Sequence, residues 1–134
     1  HITAAAIAAA ADRWRVPRLY WMVVSGTAFE AGVAELNSAD ALADWIRVDS
    51  VPFGYPDARF DVAIEAPDLL PVKVAAMAAH ATQIQLGPTG RAFTLSNKLT
   101  LPVLSVEHYV LAAGQPLPAG TGVHSDLLAG LDLC

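Results

Sequence analysis

The chain has 134 residues and a formal net charge of −5, and 54% of its residues are hydrophobic while only 16% are charged. This length fits one small domain or part of a larger one, and the composition excludes a disordered chain. No cluster of lysine and arginine is present, which excludes the basic surface that nucleic-acid-binding proteins use.

The first element is the Ala-rich stretch Ile2–Asp12, which predicts a helix. Its apolar part is too short to cross a bilayer and no basic segment precedes it, so neither a membrane span nor a signal peptide is expected. Only His1 stands before the helix, so we expect its natural start to lie outside the chain, as in a fragment. The apolar and aromatic run Arg18–Ser25, closed by Gly26, predicts a strand covered on both faces.

The next part of the chain predicts short helices, a loop and a second strand. Thr27–Asp44 is interrupted inside, so one or two short helices are expected, the second starting at Asp40 and carrying Leu42 and Trp45 toward a core. Arg47–Ala58 is rich in Pro and Gly and is predicted to be a loop. The alternation of apolar and polar residues in Phe60–Glu65 predicts a strand.

The clearest predicted helix begins at Asp68, which can cap its first turn, with Pro71 close behind. Two sets of residues recur at helical spacing and therefore share a face. The apolar set is Leu70, Val74, Met77 and Ala81, and the polar set is Lys73, His80 and Gln83.

The remaining elements are predicted to be short. Gly87–Gly90 predicts a turn, His108–Ala112 a strand, and Gly114–Gly122 a loop. Pro102 argues against a long helix in the mixed stretch 93–105. Ser125 can cap a final helix that runs to Leu133.

The residues alone do not predict a complete metal site or a nucleophilic active site. The histidines form no pattern with metal-ligand spacing, and Cys134 is the only cysteine. In the segment Gly54-Tyr55-Pro56-Asp57 a tyrosine stands where a metal motif would have histidine, so a Pro-Asp turn is the better interpretation. No serine lies in the context of a nucleophile elbow.

Two polar features allow both a functional and a structural interpretation. His80 and Gln83, one turn apart, could orient a partner group across an interface, or they could simply bond to neighbouring backbone. The segment from Gly87 to Arg91 could present N–H groups and a guanidinium to an anion or a sugar hydroxyl, or it could be an ordinary surface turn. Up to this point the sequence predicts an α/β fragment without a complete active site.

Several short segments carry a resemblance that covers nearly the whole chain. They are Val16-Pro17-Arg18-Leu19-Tyr20-Trp21, Phe53-Gly54-Tyr55, the stretch Lys73–Gln83, Gly87-Pro88-Thr89-Gly90-Arg91, Leu95-Ser96-Asn97, Glu107-His108-Tyr109-Val110-Leu111 and Asp126–Leu131. In this order they resemble the zinc-dependent N-deacetylases of the LmbE/PIG-L type, and the turn at 87–91 and the segment 95–97 resemble their mycothiol-pathway branch.

The resemblance implies a fold and a reaction. It implies the C-terminal part of a Rossmann-like α/β fold that is incomplete in this chain, with residues 1–134 as one portion of a cytoplasmic deacetylase. The implied activity is removal of acetate from an N-acetyl-glucosaminyl-inositol. The implied zinc ligands belong to His-Pro-Asp-Asp and His-Pro-Asp-His motifs that the chain lacks, so His1 is not assigned to zinc.

The resemblance also implies roles for a few residues. Phe53 is expected to line the substrate pocket, because an aromatic ring suits the apolar side of a sugar. His80, Gln83 and Arg91 are expected to support the site without binding metal. The chain is expected to pack against a missing N-terminal part, with no nucleic acid or membrane as partner. The alternatives are a fragment of a mycothiol-conjugate amidase and a non-catalytic domain that binds a sugar or a partner protein.

Overall fold

The computed structural model describes residues 2–50, 54–120 and 122–132. His1, Phe53 and Cys134 therefore lie outside the described residues. The helices are α1 (Ile2–Ala9), α2 (Gly26–Ala34) and α3 (Leu70–Ala79), with single 3₁₀ turns at Asp57–Arg59 and Pro67–Leu69. The strands are β1 (Arg18–Val23), β2 (Ile46–Arg47), β3 (Val62–Glu65), β4 (Gln85–Leu86), β5 (Ala92–Thr94), β6 (Leu99–Pro102) and β7 (Val106–Gly114). The expected mixed α/β character is confirmed.

Strand β7 is the centre of the first sheet, which has the order β1-β7-β3. Both neighbours run antiparallel to it: Trp21 pairs with Val110, and Val62 pairs with Tyr109. A bulge between Leu19 and Tyr20 shifts the register of β1. The prediction of a short strand at 108–112 is therefore correct in place, but β7 extends beyond it at both ends.

The second sheet has the order β2-β6-β5-β4 and carries the most enclosed part of the chain. Helix α2 packs closely on it, since a methyl group added at Gly32 would contact Leu104 and Pro102 at 2.8–2.9 Å. Leu36, Trp45 and Ala92 form a buried cluster beside this contact. The expected burial of Trp45 is confirmed, whereas Leu42 stays 37% exposed.

Asp40 does not begin a second helix, contrary to the prediction. The residues after Leu36 form turns, and the Asp40 carboxylate accepts hydrogen bonds from the backbone N–H of Asn37 and the hydroxyl of Thr89. An aspartate can cap a helix only where free N–H groups of that helix face it. Here a residue far along the chain competes for the carboxylate, which sequence spacing does not reveal.

One predicted helix start and one predicted helix are also wrong. Asp68 lies in a 3₁₀ turn and α3 begins at Leu70 without a side-chain cap. The described residues after Ser125 form turns rather than a helix, and Gly130 adopts a left-handed φ of 73°. In this segment backbone carbonyl groups accept hydrogen bonds from a side chain instead of from the N–H groups of a helix.

That side chain is Arg18, which is only 9% exposed. Its guanidinium donates to the carbonyl oxygens of Gln115, Pro116, Leu127 and Ala129 at 2.8–3.0 Å. The hydroxyl of Tyr20, two residues along β1, also donates to the Leu127 carbonyl at 2.8 Å. The start of β1 thus holds the last described segment of the chain in place.

Several large apolar side chains near the start of the chain remain uncovered. In the described part of the chain, no residue of α1 is buried, and Trp14 is 70% exposed. On β1, Trp21 and Met22 are 61% and 66% exposed, so the expectation that this strand is covered on both faces is wrong for the chain by itself. Separately, none of the described helices is long and apolar enough to cross a membrane.

Replacement of Arg18 by glutamine is expected to lower the free energy of unfolding by roughly 2–4 kcal/mol, because buried carbonyls lose a charged donor. Urea denaturation followed by circular dichroism measures this effect. Arg13→Gln, which changes an exposed arginine, is the matched control, with an expected change below about 0.5 kcal/mol. Equal stabilities of the two variants would contradict the role assigned to Arg18.

Candidate functional site

His80 and Gln83 lie in the backbone turn that directly follows α3. The carbonyl oxygen of His80 accepts hydrogen bonds from the N–H groups of Gln83 and Ile84, both at 2.9 Å. The helix ends at Ala79, so these residues do not continue the face of Lys73 as the spacing predicts. Both side chains are exposed.

Gln83 lies in an open groove with a volume of about 540 Å³. The opposite wall contains Thr94, Leu95 and Ser96, in the hairpin between β5 and β6. The groove therefore lies between the turn after α3 and the hairpin that follows it, and parts of both carry the resemblance described above. Its polar residues are Thr82, Gln83, Gln85, Thr94, Ser96 and Lys98.

Lys98 supports the floor of this groove in an unusual backbone conformation. Its φ of 60° lies in the left-handed region, which is costly for a residue with a side chain. The ammonium group bonds to the side-chain oxygen of Gln85 and pairs with Asp44, both at 3.1 Å. These two contacts link the hairpin to its neighbours on either side.

Arg91 lies apart from His80 and Gln83, and no hydrogen bond between them is found within the described ranges. One nitrogen of its guanidinium bonds to the backbone and side-chain oxygens of Glu35 at 3.3 and 3.4 Å, and the other lies 4.0 Å from Asp40. The Arg91 side chain remains 47% exposed. The structure therefore connects Arg91 to the end of α2 rather than to the groove.

The turn before Arg91 is fixed to the buried Asp40. Thr89 donates to Asp40 Oδ1 at 2.5 Å, and a methyl group at Gly87 would overlap the Asp40 carbonyl oxygen. The hydrogen bond from Thr89, followed by the one from the Asn37 backbone, holds the pKa of Asp40 below its ordinary value, although burial opposes this shift. The contacts support the structural interpretation of this turn more than the ligand-binding one.

Phe53 itself lies outside the described residues, but the segment that follows it is anchored firmly. The Tyr55 N–H donates to the Val24 carbonyl at 2.7 Å, which joins the segment to the end of β1. The Ser25 hydroxyl donates to Asp57 at 2.8 Å while it caps α2 by accepting from the Ala28 N–H. The pKa of Asp57 is lowered first by the bond from Ser25 and then by one from Thr27. The predicted Pro-Asp turn is confirmed by the 3₁₀ turn at 57–59.

An aromatic row extends from this segment to β7. Tyr55 stacks on Phe60 with ring centroids 6.0 Å apart, and Phe60 lies 4.4 Å from the His108 imidazole. Burial lowers the pKa of His108, while the carboxylates of Asp57 and Glu65 act in the opposite direction. Partial burial against an aromatic ring thus favours the neutral form of this imidazole.

A second polar group was not predicted from the sequence. Lys73 on α3 bonds to Glu107 on β7 at 3.0 Å and to the Leu104 carbonyl at 2.9 Å, and the Tyr109 hydroxyl donates to Glu107 at 2.6 Å. Glu107 and Tyr109 are two residues apart on a strand and therefore share a face. This spacing is the feature of the sequence from which their contact could have been predicted. The bond to Glu107, together with burial, raises the pKa of Tyr109 to about 12.

The described residues do not form a metal site. No group of three or more His, Cys, Asp or Glu side chains within 2–50, 54–120 and 122–132 is placed to hold a metal ion. His108 packs on Phe60, and the backbone of His124 pairs with that of Val62 and its neighbours. The residues present therefore do not fit a zinc ion, and any zinc chemistry must use ligands beyond them.

Comparison with known proteins confirms the resemblance inferred from the motifs. No family model matches the chain. The chain is 47% identical, over 98% of its length, to a Mycolicibacterium smegmatis protein named 1D-myo-inositol 2-acetamido-2-deoxy-alpha-D-glucopyranoside deacetylase. It is also 47% identical, over 90% of its length, to proteins of the same name from Mycobacterium bovis and Mycobacterium tuberculosis. The chain spans 47% and 41% of these proteins respectively, about half their length.

The bond between Tyr109 and Glu107 gives a testable titration. The folded-state pKa of Tyr109 is about 12, above its ordinary value of 10.0, so its stabilising effect is complete below pH 10 and is lost as the pH rises toward 12. The phenolate absorbance removed by Tyr109→Phe should therefore appear near pH 12. In Glu107→Gln it should move down toward 10, with circular dichroism used to confirm that the chain is still folded. An unchanged midpoint in Glu107→Gln would rule out this cause.

Proposed function

We propose that this chain is the C-terminal, substrate-side portion of an N-deacetylase that removes acetate from an N-acetyl-glucosaminyl-inositol in mycothiol biosynthesis. The observation that carries the proposal is the 47% identity to deacetylases of that name over 98% of the chain. The groove beside Gln83 supports it, because residues 81–83 and 95–96, from two of the segments that carry the resemblance, line it together. The names of the relatives favour the deacetylase over the related amidase.

The proposal divides the work between this chain and the rest of the protein. Zinc would supply a Lewis acid to the amide, with its ligands outside the described residues, which do not fit it. In this proposal the missing part is the Rossmann-like portion that holds those ligands. The chain's own contribution is then to bind and orient the sugar and to close one side of the site.

The exposed apolar residues of α1 and β1 are the proposed contact with that missing part. Trp14, Trp21 and Met22 are each more than 60% exposed, and α1 presents an almost purely apolar sequence. Large apolar side chains left exposed in such number often mark an interaction surface. The share of the relatives that the chain spans leaves about half of their length to cover it.

Individual roles follow from position. Phe53 is proposed to contact the sugar, since the segment after it is fixed to β1 and to the cap of α2. His80 and Gln83 are proposed to support the groove from the end of α3 without binding metal. Arg91, held by Glu35, is proposed to brace the turn at 87–91.

The chain by itself is expected to bind no zinc tightly and to release no acetate, because the proposed ligands are elsewhere. Metal analysis of the purified chain and an acetate-release assay measure this. The control is the same chain joined to the coding sequence that precedes it, which should contain a His-Pro-Asp-Asp motif. Stoichiometric zinc and acetate release by the chain alone would refute the division of work.

Kinetics of the complete protein separate the roles of two residues. Phe53→Ala should raise KM by about 5- to 30-fold with little change in kcat, because a ring on a sugar, worth roughly 1–2 kcal/mol, acts in both ground and transition states. His80→Ala should instead lower kcat, as a misplaced support displaces other groups.

Asp68→Asn, an exposed change in a 3₁₀ turn, is the control and should alter neither constant. An unchanged KM in Phe53→Ala would remove Phe53 from the pocket. Loss of zinc from a folded His80→Ala variant would make His80 a ligand and show the assignment to be wrong.

A further inference from the structure

The groove beside Gln83 contains polar side chains whose hydrogen-bonding groups are unused. Among the described residues, the side chains of Thr82, Gln83 and Ser96 have no hydrogen-bond partner, and all three residues are exposed. The Gln85 side-chain oxygen accepts from the Lys98 ammonium at 3.1 Å, which leaves the N–H groups of that amide as donors. The groove volume of about 540 Å³ lies within the range of roughly 300–1,000 Å³ that small-ligand sites occupy.

The one charged residue in the described lining of the groove already has partners. Lys98 pairs with Asp44 at 3.1 Å, and its bond to Gln85 occupies a second donor of the ammonium group. An anion in the groove would therefore compete with a carboxylate that is already in place. The remaining polar groups are amides and hydroxyls, which suit an uncharged ligand.

Aliphatic side chains provide the apolar part of the same lining. Ile84 and Leu95 both line the groove, and Leu95 is 41% exposed. No aromatic residue lines it within the described ranges, so it has no ring on which a flat, unsaturated ligand could stack. Aliphatic contact together with uncharged donors and acceptors fits a saturated ring that carries several hydroxyl groups.

We propose that this groove binds the inositol ring of the substrate, and this inference rests on the deacetylase function proposed above. The acetamide that reacts belongs to the sugar ring, and it must reach a zinc ion whose ligands lie outside the described residues. The inositol ring takes no part in the reaction, so it can lie wholly on side chains of this chain. Its hydroxyl groups bond to the amides of Gln83 and Gln85 and to the hydroxyl of Ser96, and its C–H groups lie against Leu95.

The first test compares two substrates of the complete protein, N-acetyl-glucosaminyl-inositol and the methyl glycoside of N-acetylglucosamine, which lacks the inositol ring. Gln83→Ala and Ser96→Ala should each lower kcat/KM for the inositol substrate by about 3- to 10-fold, as expected for the loss of one neutral hydrogen bond. Neither variant should change kcat/KM for the methyl glycoside. Gln115→Ala, at an exposed glutamine that does not line the groove, is the matched control and should leave both values unchanged.

The second test needs no catalysis. Titration of the ¹⁵N-labelled complete protein with myo-inositol should shift the side-chain amide signals of Gln83 and Gln85 in NMR spectra and leave that of Gln115 in place. N-acetylglucosamine should not shift the first two signals. The Gln83→Ala spectrum identifies the Gln83 signal by its loss.

The outcomes separate this inference from the proposed function. Equal losses on both substrates would show that Gln83 and Ser96 act on the reaction centre and not on inositol. That result, unchanged kinetics in both variants, or amide shifts with N-acetylglucosamine but not with myo-inositol would overturn the inference. A complete protein that releases no acetate from the inositol substrate would refute the proposed function instead, and the titration alone would then decide whether the groove binds inositol.

Discussion

The chain depends on the central position of β7, the one long strand in the first sheet. Both of its edges are used, since β1 pairs along one side and β3 along the other. Its side chains then attach the surrounding elements: Glu107 bonds to Lys73 of α3, and His108 packs against Phe60. Few of these side chains are fully buried, so the sheet is held by backbone pairing and polar contacts more than by a deep core.

Polar side chains make long-range contacts that stabilise the fold where a larger hydrophobic core would otherwise do so. Arg18 binds carbonyls of the chain's last described segment, and Asp40 joins the turn at 87–91 to the end of α2. Both side chains are buried and both have hydrogen-bond partners, which is the condition under which a buried charge stabilises the folded state. The two links join residues 49 and 111 positions apart in the sequence.

This use of long-range polar contacts explains which parts of the molecule the sequence can predict. Strand β1 and helix α3 show in the local pattern because their apolar spacing is a property of neighbouring residues. Asp40 looks like a helix cap because its true partner, Thr89, lies 49 residues away. The groove shared by Gln83 and the residues at 94–96 depends on the pairing of β4 with β5, which no local pattern in the sequence shows. The roles of Phe53, His80 and Gln83 remain predictions.

Strand β1 connects exposed apolar side chains to the part of the chain that the deacetylase proposal uses. Trp21 and Met22 lie exposed near its end, and two residues later the Val24 carbonyl receives the N–H of Tyr55. The segment that begins at Gly54 is therefore attached to the same strand end that carries exposed apolar side chains. Because a strand paired along β7 is stiff, a partner bound at this end of β1 and the segment at 54–57 would share one rigid support. This arrangement gives a physical reason for a substrate site to be completed where two halves of a protein meet.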